Sequence, residues 1–261
     1  MKVVLFCGGF GTRLREFSHT IPKPLVPIGQ RPIIWHLMRY YAHHGHKDFV
    51  LCLGYRGDLI KEFFLEYNEC LSNDFTLSGG GAEIDLHASD IHDWRITFVD
   101  TGIQSNIAER MKAVRSKIGD DTMFMANYSD GVTDLPLGPY LDRFEQSDAV
   151  GCFLSVRPSH SLSGVDVDDE GFVRGIDYLS RTVWINAGFF VFRTSIFDYI
   201  EDGEELVERP FERLIAARKL MSYKYDGFWA AMDTFKDKKQ FDDMYDSGRT
   251  PWTVWKRPGR D

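Results

Sequence analysis

Two clusters near the amino terminus hold residues of the kind that handle phosphate. Gly8-Gly9-Phe10-Gly11-Thr12-Arg13-Leu14 follows a short apolar run, and its glycines let backbone N–H groups approach an anion closely. Arg13 would add a cation at the same place. The run matches neither the GxxxxGK(S/T) phosphate loop nor the GxGxxG dinucleotide fingerprint. By itself it also suits a tight strand-to-helix turn carrying a solvated arginine. Further on, Ile21-Pro22-Lys23-Pro24-Leu25 sets a lysine between two prolines. Each proline fixes its own φ and restricts the residue before it, so this loop is stiff. A stiff loop holds a point charge at a defined place, as phosphoryl chemistry requires. The two clusters together are a stronger signal than either alone.

Composition restricts where such chemistry can act. A formal charge of −8 disfavours non-specific attraction to nucleic acid or an anionic membrane, so neither is an expected partner. An anionic substrate then needs a local cluster of Lys, Arg and backbone N–H groups, which the two loops supply. With 261 residues, 43% of them hydrophobic, the chain can build the core of one large α/β domain. Cys7, Cys52, Cys70 and Cys152 form no CxxC pair, and three of them lie in apolar runs. They read as reduced thiols of a cytosolic protein rather than a disulfide frame or zinc site. The first apolar run is too short for a signal peptide, and no segment reaches the roughly 18 apolar residues that span a bilayer. A cytoplasmic location is expected.

The elements that must position these residues alternate between strand and helix. Val3 to Cys7 is an apolar run of strand length, suited to an inner strand of a parallel sheet. Pro32 suits a first helical position, and Ile33, Ile34, Leu37, Met38 and Tyr41 follow at helical spacing. Lys47–Leu53 reads as a strand, and Leu59, Ile60, Phe63, Phe64 and Tyr67 as a second amphipathic helix. Strands near Arg95–Val99 and Met123–Ala126 flank a helix near Ile107–Lys117. This alternation implies right-handed crossovers and a doubly wound, Rossmann-like α/β sheet. Asn68–His92 reads as loop with short edge strands. The second half has fewer helices: Val150–Val156, Val165–Val167, Val173–Tyr178 and Trp184–Phe192 read as strands, with a hairpin turn at Asp168–Gly171. Helices return at Glu208–Arg218 and Phe235–Tyr245. The expectation is one domain over residues 1–261, a mixed sheet flanked by helices and extended by antiparallel strands.

The two loops, in this order at the extreme amino terminus, resemble the signature of the sugar-1-phosphate nucleotidyltransferases. Further matches are Gly54-Tyr55-Arg56-Gly57, Val99-Asp100-Thr101-Gly102, Ser129-Asp130-Gly131-Val132, Ile185-Asn186-Ala187-Gly188 and Met232-Asp233-Thr234. They run along essentially the whole chain and point, within the family, to the glucose-1-phosphate cytidylyltransferases. The resemblance implies a nucleotide-binding part over roughly 1–135, a sugar-binding part over roughly 136–261, and an active site between them. It implies that Gly8, Gly9, Gly11, Thr12 and Arg13 bind the triphosphate and that Lys23 contacts the reacting phosphate. Asp130 and Asp233 match the two carboxylates that hold Mg²⁺, and Arg110 an arginine near the nucleotide. The chemical logic agrees for Asp130, which follows the apolar strand MFMANYSD at the carboxyl end where α/β sheets bind ligands. Mg²⁺ favours one or two carboxylates plus phosphate oxygens and water. Asp233 also precedes an apparent helix, where it would make a good cap.

Departures concentrate on the sugar side. The family's Glu-Lys-Pro before the Asn-x-Gly is absent; the segment reads Gly175-Ile176-Asp177-Tyr178-Leu179-Ser180-Arg181. Asp177 and Arg181 are the available replacements, and Asn186 remains for a sugar hydroxyl. Ala108 and Glu109 stand beside Arg110 where the family has glycines, and Ser129 stands where it has glycine. The resemblance implies transfer of a nucleotidyl group, CTP being the favoured donor, to a sugar 1-phosphate or a related phosphorylated polyol. The resemblance also implies release of pyrophosphate and a homo-oligomer. The alternatives are another nucleoside triphosphate, or a silent homologue that binds nucleotide without turnover. The three histidines His43, His44 and His46 read as cations at a helix end, and Trp252 and Trp255 as packing.

Overall fold

The computed structural model of the chain describes residues 1–9, 20–158, 163–178 and 183–255. Strand β1 (Val3–Phe6) is buried along its whole length. Successive residues of a strand face opposite sides. Val3 and Leu5 accordingly enter one hydrophobic core, and Val4 and Phe6 the other. After it come two short paired strands, β2 (Pro27–Ile28) and β3 (Arg31–Pro32), then α1 (Ile33–His43), β4 (Asp48–Leu53) and α2 (Gly57–Leu65). Strands β5 (Phe75–Ser78) and β6 (Glu83–Leu86) pair with each other. The first half closes with β7 (Arg95–Asp100), α3 (Ile107–Ile118), β8 (Met123–Tyr128), β9 (Gly131–Thr133) and α4 (Leu137–Glu145). Strands β8, β1, β4 and β7 lie side by side and parallel, the centre of a doubly wound sheet.

The second half extends this sheet. It comprises β10 (Gly151–Val156), the hairpin β11 (Ser163–Val167) and β12 (Val173–Tyr178), β13 (Ile185–Asn186) and β14 (Phe190–Arg193). They are followed by α5 (Arg209–Ala216), β15 (Leu220–Tyr225), β16 (Trp229–Ala231) and α6 (Phe235–Asp246). β14 joins β8 antiparallel, β10 joins β14 antiparallel, and β15 lies parallel to β10. Helices α1 and α4 cover one face of the sheet, and α3 and α5 the other. The mixed α/β sheet with an antiparallel extension is the architecture expected from the sequence. Among the described residues no helix is long and apolar enough to cross a membrane.

Several elements differ from the sequence reading. The single strand expected over Trp184–Phe192 is broken into β13 and β14. Gly188 and Phe189 adopt positive φ (75° and 48°), and the Phe189 N–H donates to Asn127 Oδ1 at 2.9 Å. The β5–β6 hairpin is no edge of the main sheet; it pairs only with itself. α4 and β15 were not foreseen: α4 carries Gly138 and Pro139 in its first turn, and β15 has no fully buried residue to mark a pattern. His44 and His46 are half-buried, and burial lowers the pKa of both, that of His46 to about 4. Neutral imidazoles therefore stand where helix-end cations were expected.

Candidate active site

Lys23 opens a tight 3-10 turn over Lys23–Leu25, entered through Pro22 at φ −68°. The Leu25 N–H donates to the Pro22 carbonyl at 2.8 Å and the Val26 N–H to the Lys23 carbonyl at 3.1 Å. The stiffness argued from the prolines is thus a closed turn, followed by fully buried Val26 as its anchor. Asp130 lies between β8 and β9. β9 pairs antiparallel with β16, Gly131 facing Ala231, and the Met232 N–H donates to the Asp130 carbonyl at 2.9 Å. This ribbon brings Asp233 beside Asp130, a neighbourhood that no local sequence pattern reports.

The three side chains meet. Lys23 Nζ donates to Asp130 Oδ2 at 2.5 Å and to Asp233 Oδ1 at 2.7 Å. Val26, Val132 and Met232 share one small core with Phe241 and Trp252, so every segment carrying the cluster is anchored in the same apolar layer. Burial by itself would lower the pKa of Lys23, but Asp130, with Asp233, outweighs it and raises the pKa. The ammonium is therefore held charged. Asp233 is not the cap of α6. That place belongs to Thr234, whose hydroxyl accepts the Asp237 N–H at 3.3 Å, while Asp237 Oδ2 takes the Thr234 N–H at 2.7 Å.

The cluster forms part of the wall of a cleft of about 310 Å³, with Gly8, Gly9, Tyr128 and Ser129 among its neighbours there. It lies at the carboxyl ends of β1 and β8, where parallel sheets expose loops to ligands. Burial pushes the Cys7 thiol, which also lines the cleft, up to about 12, so it is not a ready nucleophile.

Residues 2–237 match the family described as Nucleotidyl transferase. The chain belongs to that family. It is 35% identical over 258 residues to the glucose-1-phosphate cytidylyltransferase of Salmonella typhi, covering 98% of this chain and all of that one. It is 29% identical over 245 residues to the mannose-1-phosphate guanyltransferase of Gibberella zeae, covering 91% of this chain and 62% of that one. Among solved structures it resembles a UDP-glucose pyrophosphorylase complexed with UDP-glucose. That likeness has a TM-score of 0.68 at 12% identity and covers 95% of this chain and 99% of that one.

In this nucleotidyltransferase the remaining residues named from sequence divide into three groups. Gly8, Gly9 and Arg110 line the cleft, but the N–H groups of Arg110 are engaged by the protein. Its guanidinium, 3% exposed, donates to the carbonyls of Leu53 (3.1 Å) and Gly8 (3.2 Å) and to Thr101 Oγ1 (2.7 Å). It ties the ends of β1, β4 and β7 together. Gly8 is required here for packing, since a Cβ would collide with that guanidinium. At the same position Gly9 meets nothing within 4 Å among the described residues. Asn186 is in β13, with its Oδ1 accepting the Gly188 N–H at 2.9 Å, and Asp177 pairs through its backbone with Gly164 on the β11–β12 hairpin. Asn186 is not among the described residues that line the cleft holding Lys23. Gly11, Thr12, Arg13 and Arg181 lie outside the described residues.

The departures beside the cleft have local explanations. Ser129 Oγ donates to the Phe6 carbonyl at 2.8 Å, so the hydroxyl that replaces glycine is satisfied by the backbone of β1. Glu109 is the third residue of α3, and with Asn106 it forms a reciprocal capping box. The Asn-x-x-Glu spacing was a sequence signal for that helix start. It was read only as a loss of glycine. Ser105 and Ile107, at the same helix start, line the cleft and were missed.

Proposed function

We propose that the cleft catalyses Mg²⁺-dependent transfer of a nucleotidyl group, with CTP as the favoured donor, to a sugar 1-phosphate or related phosphorylated polyol. The observation that carries this reading is Lys23 Nζ bridging Asp130 and Asp233 at the carboxyl ends of β1 and β8. The full-length relation to a glucose-1-phosphate cytidylyltransferase supports the choice of base and acceptor. One phosphate oxygen of the acceptor attacks the α-phosphorus, the bond to the bridging oxygen of the β-phosphate breaks, and pyrophosphate leaves with that electron pair. The acceptor brings its own nucleophile, so no activated side chain is needed, and the unreactive Cys7 is consistent with this.

The fit to a metal is tested by the cluster itself. Two carboxylates already share one cation, the Lys23 ammonium, and their oxygens are hard donors of the kind Mg²⁺ prefers. Among the described residues no group of three or more His, Cys, Asp and Glu suits a metal. A two-carboxylate site completed by phosphate and water is the remaining choice. Asp130 and Asp233 would hold the ion, which supplies charge neutralisation at the phosphates. Lys23, relieved of the carboxylates, presents its ammonium to a phosphate oxygen from a rigid turn. Gly9 lets the β1 loop approach the same phosphates without steric obstruction. Asn186, Asp177 and Arg181 are the proposed contacts on the sugar side, and a homo-oligomer in the cytoplasm is the proposed setting.

The test is pyrophosphate release with Mg²⁺ from CTP, UTP, GTP, ATP or dTTP against a panel of sugar 1-phosphates and phosphorylated polyols. Release with CTP and one acceptor is the expected result. Release with GTP or another donor would keep the reaction and overturn the base. If no pair gave release from folded protein, the silent homologue would replace the enzyme reading.

A further inference from the structure

A second cavity, of about 370 Å³, shares no lining residue with the catalytic cleft. It lies between the start of α1, the segments around Ser72 and Asp90, and the chain near Tyr245 and Trp255. Its wall contains a buried cation. Arg31 is 4% exposed; its Nη2 donates to the Asn68 carbonyl at 2.8 Å and to Ser72 Oγ. Its guanidinium carbon lies 4.1 Å from the Tyr67 ring centroid and 5.7 Å from that of Trp35. Nε and Nη1 have no acceptor among the described residues, and Arg31 forms no ion pair there. A guanidinium cannot shed its proton to escape this situation. Leaving two of its donors buried without acceptors is costly, and an anion that accepted from them would remove that cost.

The wall offers Asp90, which feels the charge of Arg31 but forms no ion pair with it. Asp90 is the one acid among the described lining residues, and its Oδ1 already accepts from Tyr67 Oη at 2.7 Å and from Asn73 Nδ2 at 3.1 Å. A second arginine, the half-buried Arg39, also lines the cavity and donates through Nη1 to the Asp90 carbonyl at 2.7 Å. Two guanidiniums thus face one carboxylate. Charge in a low-dielectric wall is felt across the cavity even without direct contact.

We infer that this cavity binds the phosphate group of a small phosphorylated molecule, with Arg39 as its direct cationic ligand and Arg31 as the buried charge behind it. The aromatic side chains of Trp35, Trp255 and Tyr245 line the same cavity and give apolar contact to a sugar or base attached to that phosphate. The inference does not depend on the transferase reading of the first cleft.

The test is calorimetric titration of inorganic phosphate, ribose 5-phosphate and cytidine 5′-monophosphate into the Lys23→Met variant, which has lost the lysine cation of the first cleft. The same titrations are made with Arg39→Met or Ala88→Trp added; both positions are at least partly exposed, and circular dichroism checks the fold. Saturable binding of at least one probe is expected in Lys23→Met, weakened about tenfold or more by each second substitution, as for one lost charge-assisted hydrogen bond. Equal binding of all three probes would assign the affinity to the phosphate alone. Preference for ribose 5-phosphate or for the nucleotide would assign the attached group as a sugar or a base. Absence of saturable binding by any probe, or unchanged affinity in both doubly substituted variants, would overturn the inference.

Discussion

The two cavities solve the same electrostatic problem in opposite ways. In the proposed catalytic cleft one ammonium lies between two carboxylates at 2.5 and 2.7 Å, so the charges satisfy one another. In the second cavity Arg31 and Arg39 face a single carboxylate that two other side chains already occupy. If the first site takes the proposed metal and phosphate, it must exchange partners, because both would compete with contacts already made. The second has little to give up. On the proposed readings, a site for a cation and an anion together keeps its charges paired, whereas a site for an anion alone keeps an excess of cations over Asp90.

The largest expected effect tests whether the catalytic cluster depends on its own small core. Met232→Ala opens a cavity beneath the residue preceding Asp233 and should cost about 2–5 kcal/mol of stability, read from urea unfolding. A loss below about 1 kcal/mol would show that the ribbon alone positions the aspartates. Next, Lys23→Met and Asp130→Asn should each lower turnover about 10²–10³-fold with an unchanged circular dichroism spectrum, as the loss of one preorganised charge does elsewhere. Near-normal rates in either variant would break the claim that the paired cluster is the catalytic one. Arg39→Met, in contrast, should leave pyrophosphate release within about twofold of the parent, because ordinary substitutions away from a site change free energies by a few tenths of a kcal/mol. A larger drop would show that the two cavities are coupled.

The smallest effect is the pH background against which either cavity must be judged. Burial, the amino-terminal ammonium and His44 hold His46 near 4, while an unfolded histidine titrates near 6.5. Between those values the unfolded chain binds more protons, so stability rises with pH across the window. The contribution is whole above pH 6.5 and is lost as pH falls toward 4. Because His46 is only half-buried, about 1 kcal/mol is expected after allowance for solvent screening. Urea midpoints at pH 7 and pH 5 should differ less in His46→Gln than in the parent, and equal differences would refute the assignment.

Much of the fold was legible because its signals are local. β1 is an unbroken apolar run, α1 shows its stripe, and the hairpin turn at Asp168–Gly171 appears where Asp168 Oδ1 accepts the N–H groups of Glu170 and Phe172. The break between β13 and β14 was not legible, since it depends on Asn127 reaching across from β8. Arg110 was read as facing the nucleotide. Its engagement by Leu53, Thr101 and Gly8 depends on three strand ends converging. Glu109 was legible in principle, through the capping spacing with Asn106, but was weighed only against a family pattern.

By itself the sequence determined the alternation that makes a doubly wound sheet, the rigid frame around Lys23, and the family. Each of these is written in residue type and short spacing, where proline geometry, apolar periodicity and motif order act without the rest of the chain. Only the tertiary structure decided that Asp130 and Asp233 close on one lysine. That meeting depends on the pairing of β9 with β16 and on a core shared by Val26, Val132, Met232 and Trp252. It alone decided, too, that Arg31 lies buried with two donors that find no acceptor among the described residues. Whether a charge is paired depends on the folded neighbourhood, and a linear chain specifies that neighbourhood only once it has folded.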